Sequence, residues 1–482
     1  MAAVPVAESR PASVTSAVGP SAARPALDPR TRRLLEAPIG RTLARLAAPM
    51  MLVMLAQASA GLVETYFIGR LGTEALAGAS LVFPVVMLMQ MMSAGAMGGG
   101  IGSAIARALG AGRREDADSL AVHAILIGVG FGLAFTVALL LGGRWLYSAM
   151  GGHGASLDAA LAYSGWVFSG AVLVWLFNSL SAVIRGSGNT AMPAVITCAG
   201  LVVLVPLSPA LIFGWGPLPA LGIVGGAVAL LIYYVLGCIA LVAYLLSGHS
   251  IVRPSLHGRP LHRPFFEAIL RVGLIAALVT FSTNLAIAFT TGVVGRFGDA
   301  AIAGYGVGSR LEYLLVPLVF GLGSPLVTLV GTHLGAGQRQ QALRAAWLGA
   351  AVATGMTELI GLLAAAFPLA WLSLFDRDPA MLQAGSDYLR AVGPFYGFFG
   401  LGMALYFASQ GAGRLAWPVA ANLGRLAVGL FFGWLAWHLG GSLTEVFLAQ
   451  SAALVVFGVV NVTGMLRGAW FTGLPPRVAV AT

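Results

Sequence analysis

The side chains best suited to chemistry in this sequence are three glutamates set in apolar runs, Glu64, Glu312 and Glu358. Glu64 lies toward the end of the run from Ala47 to Gly69. About 22 largely apolar residues at about 1.5 Å each reach roughly 30 Å, the hydrocarbon thickness of a bilayer. An acid inside such a span costs about 2.5 to 3.5 kcal/mol on insertion scales, and faces a wet cavity or a partner. Gln57 stands seven residues earlier on the same face, with the small Ala60 and Gly61 between, which gives one narrow polar stripe. A lone carboxyl of this kind can take up and release a proton or hold a cation; the plainer role is a protonated carboxyl bonded to Gln57 or capping a neighbouring helix. Glu312 shares a face with Tyr305 and precedes Pro317. Its sharp reading is cation binding or coupling in the second half, and its plain one a pair with Arg310 or a structural hydrogen bond. Glu358, one turn after Thr354, is either a third cavity acid or a neutral carboxyl bonded to a neighbour. Asn178 and Asn284 are candidate cavity liners or interhelical hydrogen bonds. His123, His153 and His333 lack metal-ligand spacing, so no metal is expected, and no cofactor motif is present.

These residues need a membrane scaffold to hold them. Of 482 residues, 58% are hydrophobic and 9% charged, against roughly 25% charged in soluble domains. The net charge of +10 comes from arginine alone, since lysine is absent. The arginines sit at the ends of apolar runs with no interleaved aromatics, which points to membrane orientation and anionic lipid headgroups and away from nucleic acid. Twelve apolar runs predict spans at about 42–68, 75–106, 119–143, 158–183, 190–213 and 220–246, then 266–294, 300–333, 342–370, 382–409, 415–438 and 443–466. Residues 1–37 are expected as a disordered cytoplasmic tail, 38–248 as the first six-helix bundle and 249–264 as a cytoplasmic linker. Residues 265–470 then form the second bundle, and 471–482 a second tail. Arginine bias places both termini inside.

The two halves repeat. Leu109-Gly110-Ala111-Gly112 recurs as Leu334-Gly335-Ala336-Gly337, and Gly186-Ser187-Gly188 with Pro193 recurs as Gly411-Ala412-Gly413 with Pro418, both at an offset of 225. Gly69-Arg70-Leu71-Gly72 matches Gly295-Arg296-Phe297-Gly298 at 226, so one gap separates the two registers. With six spans per repeat, both halves enter from the same side and are related by an axis along the membrane normal.

Together with the Arg45-Leu46-Ala47-Ala48-Pro49-Met50-Met51 opening, Gly61-Leu62-Val63-Glu64-Thr65, Ile184-Arg185-Gly186-Ser187-Gly188 and Arg310-Leu311-Glu312-Tyr313, these motifs resemble the multidrug and toxic compound extrusion family over roughly residues 38–467. The first half is similar to its DinF-like branch, with Glu64 in place of that branch's Asp. The resemblance implies an all-α integral membrane protein: twelve transmembrane helices in two pseudo-symmetric six-helix bundles arranged as a V. The Asn and Asp that the branch adds near the proline of the fifth run are absent, because Leu201 to Pro209 carries no such pair; only the Glu64 position carries over.

The expected function is a monomeric secondary antiporter of the bacterial inner membrane. It exports amphipathic, cationic drugs or metabolites by alternating access, driven by proton entry ahead of sodium. Glu64 and Glu312 are the coupling candidates, and Gln57, Glu64, Asn178, Asn284, Glu312 and Glu358 the cavity candidates. A flippase for lipid-linked substrates is the alternative, which an arginine-lined cavity would favour. A membrane enzyme is more remote, since no catalytic set of Ser, His and Asp is visible.

Overall fold

The computed structural model describes residues 27–470 apart from 217, 258, 259 and 376. Among them every regular element is helical. The first half comprises α1 (Pro29–Glu36), α2 (Ile39–Gly69), α3 (Thr73–Gln90), a π-helical turn (Met91–Met97) leading into α4 (Gly98–Gly110), α5 (Arg114–Ala149), α6 (Gly154–Ser169), α7 (Ala171–Gly186), α8 (Ala191–Phe213) and α9 (Ile223–Leu246). The second comprises α10 (Arg263–Val294), α11 (Asp299–Gly335), α12 (Arg339–Ala366), the short α13 (Pro368–Leu372), α14 (Pro379–Val392), α15 (Tyr396–Ala412), α16 (Ala416–His438) and α17 (Leu443–Leu466). Eleven helical stretches are long and apolar enough to cross a bilayer, and α6 with α7, bent by 46° about Gly170, makes the twelfth. A helix stands at every expected span. The rims of the molecule expose large apolar side chains such as Leu141 at 83% and Leu62 at 74%, as lipid-facing surfaces do.

The N-terminal segment departs from expectation. Residues 29–36, expected within a structureless tail, form a helix. Asp28 caps it by accepting the Arg30 N–H at 2.9 Å, Pro29 occupies its first turn, and Thr31 and Leu34 are buried beneath it. An eight-residue helix rich in arginine carries too little apolar period to stand out in sequence; its stability comes from docking. The rest of that tail up to residue 26, and the tail from 471, lie outside the described residues.

The duplication is geometric. Gly112 and Gly337 turn at φ +75° and +76°, and Gly72 and Gly298 at +118° and +104°, backbone that only glycine adopts without strain. A Cβ on Gly78 would stand 2.7 Å from Ala159 Cβ, and one on Gly304 would stand 2.8 Å from Ala384 Cβ, an equivalent pair of close helix crossings. Between Gly78 and Gly102 the first half is one residue longer than the second between Gly304 and Val327. The π-helical turn lies in that interval, and a π-turn is how a helix absorbs one inserted residue, so it accounts for the change of offset from 226 to 225.

Among the described residues the halves pack together at the end where α9 gives way to α10. There α4 crosses α11 so closely that a side chain on Gly110 would strike the Thr332 backbone and one on Gly335 the Arg107 backbone, the same contact seen from each half. Arg107 Nη1 donates to Gly411 O at 2.9 Å and Thr328 Oγ1 to Arg185 O at 3.0 Å. Toward the far end α2 loses its neighbours: Gln57, Ala58, Ser59, Gly61, Leu62, Thr65 and Tyr66 are all exposed.

Candidate functional site

Glu64 sits five residues before the end of α2, half-buried, and turns into its own half. Tyr163 on α6 donates its phenol to Glu64 Oε1 at 3.2 Å. Gly226 on α9 makes the space, since a Cβ there would stand 3.4 Å from Glu64 Oε1 and 3.8 Å from Ser208 Oγ. Ser208, on α8, has a buried hydroxyl without a hydrogen-bond partner. Beside this lies a polar chain. Tyr234, within electrostatic range of Glu64, bonds Gln90, and Asn178 Nδ2 donates to Gln90 Oε1 at 3.2 Å and to Ser93 Oγ at 2.8 Å. Gln90 and Ser93 flank the entry to the π-turn, whose irregular winding turns both toward α7. No arginine or histidine among the described residues pairs with Glu64, and the phenol of Tyr163 is the hydrogen-bond donor its carboxyl has. Such a set suits exchange of a proton or a small cation.

The second half builds a different chamber. Tyr388 on α14 donates its phenol to Glu312 on α11. Tyr388 lies 225 residues after Tyr163, so each half aims the same tyrosine at an acid, but the acid comes from α2 in one and from α11 in the other. Around Glu312 the Tyr305 and Tyr388 rings meet edge-on at 5.2 Å, and Phe447 stacks on Tyr305 at 6.1 Å. Arg425 of α16 lies over Phe399 at 5.8 Å and Phe457 at 5.6 Å, and its charge reaches Glu312. Glu312 thus lies within electrostatic range of a buried cation of its own half.

A family model described as MatE matches residues 49–210 and again 276–435, one match in each half. The chain belongs to the MATE family. A protein of Shewanella oneidensis called FAD transporter is 31% identical over 409 residues, covering 82% of this chain and 87% of that one. A probable multidrug resistance protein NorM of Thermotoga maritima is 25% identical over 382 residues, covering 79% and 82%. Among solved structures, one described as the outward-facing conformation of a multidrug resistance MATE family transporter superposes with a TM-score of 0.82 at 24% identity, covering 92% of this chain and 99% of that one. As a MATE protein the chain is a multi-pass membrane transporter and not an enzyme.

The remaining sequence candidates scatter over this MATE fold. Asn178 joins the polar chain beside Glu64. Gln57 is exposed on α2, and Asn284 is exposed on α10, donating to Thr280 O at 2.9 Å. Glu358 lies apart and accepts the Gly397 N–H at 2.7 Å, at the N-terminus of α15, where a carboxylate meets the positive end of a helix dipole. Sequence reasoning missed Tyr163, Tyr388, Tyr234, Gln90 and Arg425. Two signals for them existed: the tyrosines recur at the repeat offset, and Arg425 interrupts an apolar run, where an ionisable residue marks function by default.

Proposed function

We propose that this MATE protein is a cation-coupled antiporter, driven by protons ahead of sodium, that exports amphipathic cations by alternating access across a bacterial inner membrane. The observation that carries it is Glu64: a half-buried carboxyl without a charged partner, tied to Tyr163, on a stretch of α2 where Gln57, Gly61, Leu62 and Thr65 are exposed. Cargo and coupling cation compete for that carboxyl, so occupancy by one favours release of the other. Moving one charge through 100 mV is worth about 2.3 kcal/mol, so the same group can draw on membrane potential. The arginines at the end where the halves meet make that end cytoplasmic under the positive-inside rule, and the state described here then opens outward. Glu64→Gln in proteoliposomes should abolish export of an ethidium-like cation against an imposed pH gradient while the protein still inserts. Undiminished export removes Glu64 from the mechanism, and export that follows an imposed sodium gradient alone reassigns the ion. A second reading has support in the 31% identical relative called FAD transporter and in Arg425 among aromatic rings: a planar, anionic cargo held in the second half. Export of FAD by the same vesicles, lost on Arg425→Gln, would favour it.

A further inference from the structure

Where the halves meet, a pocket of about 40 Å³ lies between α4, α7, α11 and α15. By the rule that one water needs roughly 10 to 15 Å³, it holds a few waters or one small anion. Its walls come in repeat-related pairs at the offset of 225: Gly99 with Ser324, Ala182 with Phe407 and Arg185 with Gln410. The pocket thus straddles the pseudo-two-fold axis. At its polar end the duplication has diverged, with arginine on one side and glutamine on the other. A true repeat would set two guanidinium groups face to face or none; this chain keeps one.

That one has no counter-charge. Arg185 Nη2 lies against α4, 3.4 Å from where a Gly98 Cβ would be, and no carboxylate among the described residues pairs with it. Opposite it Gln410 is fully buried: its Nε2 donates to Tyr406 Oη at 2.9 Å, and its Oε1 has no partner. The amide can turn over, since Tyr406 can donate as well as accept, and then presents its NH₂ to the pocket. Ser324 lines the same space. With the amide turned that way, the Arg185 guanidinium, the Gln410 amide and the Ser324 side chain all offer donors to this small volume.

We propose that this axial pocket is an anion site, holding one small anion or one anionic group against Arg185, Gln410 and Ser324. The inference goes beyond the exchange reading for Glu64 and does not depend on it. Because Arg185 comes from the first half and the other two from the second, the site is complete only while the halves are closed at this end. Anion occupancy therefore favours that state, by linkage.

The test uses the full-length protein in nanodiscs, with thermal unfolding followed as chloride replaces isethionate at constant ionic strength and pH. The wild-type midpoint should rise saturably. Arg185→Gln, which makes the pair symmetric, and Gln410→Glu, which supplies an internal counter-ion while keeping the arginine, should both be flat. The second variant keeps the test decisive if the first does not fold. A nucleoside monophosphate and its parent nucleoside separate the two sources of the anion. Preference for the phosphate by about tenfold, weakened by chloride and lost in both variants, assigns an anionic group of the cargo. A chloride response without that preference assigns the free ion. Wild-type protein indifferent to both, or variants that respond as wild type does, would overturn the site and leave a pocket of water.

Discussion

At the scale of the residue, two tyrosines related by duplication hold two acids that are not. Tyr388→Phe takes the donor from Glu312 among packed aromatic rings; losing such a hydrogen bond costs about 0.5 to 1.5 kcal/mol, so this variant should unfold earlier on heating in detergent. Tyr163→Phe removes the corresponding bond from the acid proposed to couple, and should change the pH dependence of transport more than the stability. Equal effects of the two substitutions on transport would mean that both acids couple. The sequence made Glu64 conspicuous because a charge in an apolar run is visible without any fold. Its partner was not, because Tyr163 is 99 residues away and reads as an ordinary aromatic in a span.

At the scale of the element, the π-turn at Met91–Met97 decides which way α3 faces relative to α4. Deleting Ala94 should regularise the helix, leaving α3 and α4 near their present orientation while re-aiming the residues of the turn itself. That takes Ser93 away from Asn178, so transport should fall while membrane insertion persists; unchanged transport would make the turn incidental. The crossing of α3 and α6 allows no side chain at Gly78. Gly78→Leu should therefore destabilise by about 1 to 3 kcal/mol or more, measured as a lowered midpoint of thermal unfolding. The helices themselves were legible in the sequence to within a few residues, since a bilayer fixes span length and apolar composition reports it. The docked helix at 29–36 was not, because its order comes from what it lies on.

At the scale of the molecule, the halves touch at one end, and alternating access requires that contact to part. Ala106 and Gly331 face each other across it: a Cβ built on Gly331 falls 2.9 Å from Ala106 Cβ, close enough for a disulfide after a small shift. In a background with Cys198 and Cys238 replaced by serine, the pair Ala106→Cys and Gly331→Cys should cross-link on oxidation and stop transport, with reduction restoring it. A cross-linked protein that still exports would show that the halves do not separate there.

What the sequence alone determined is what local composition and internal repetition can encode: twelve spans, two copies related by an axis along the membrane normal, and three acids in apolar runs with no acidic counterpart in the other half. What only the tertiary structure decided is which groups meet. Glu312 drew Tyr388, Glu358 went to the head of α15, and Arg185 and Gln410 came to line one pocket from opposite halves. The physical reason is that spans form from short-range hydrophobicity along the chain, whereas pairings depend on how helices far apart in sequence cross, and small side chains at the crossings set that geometry.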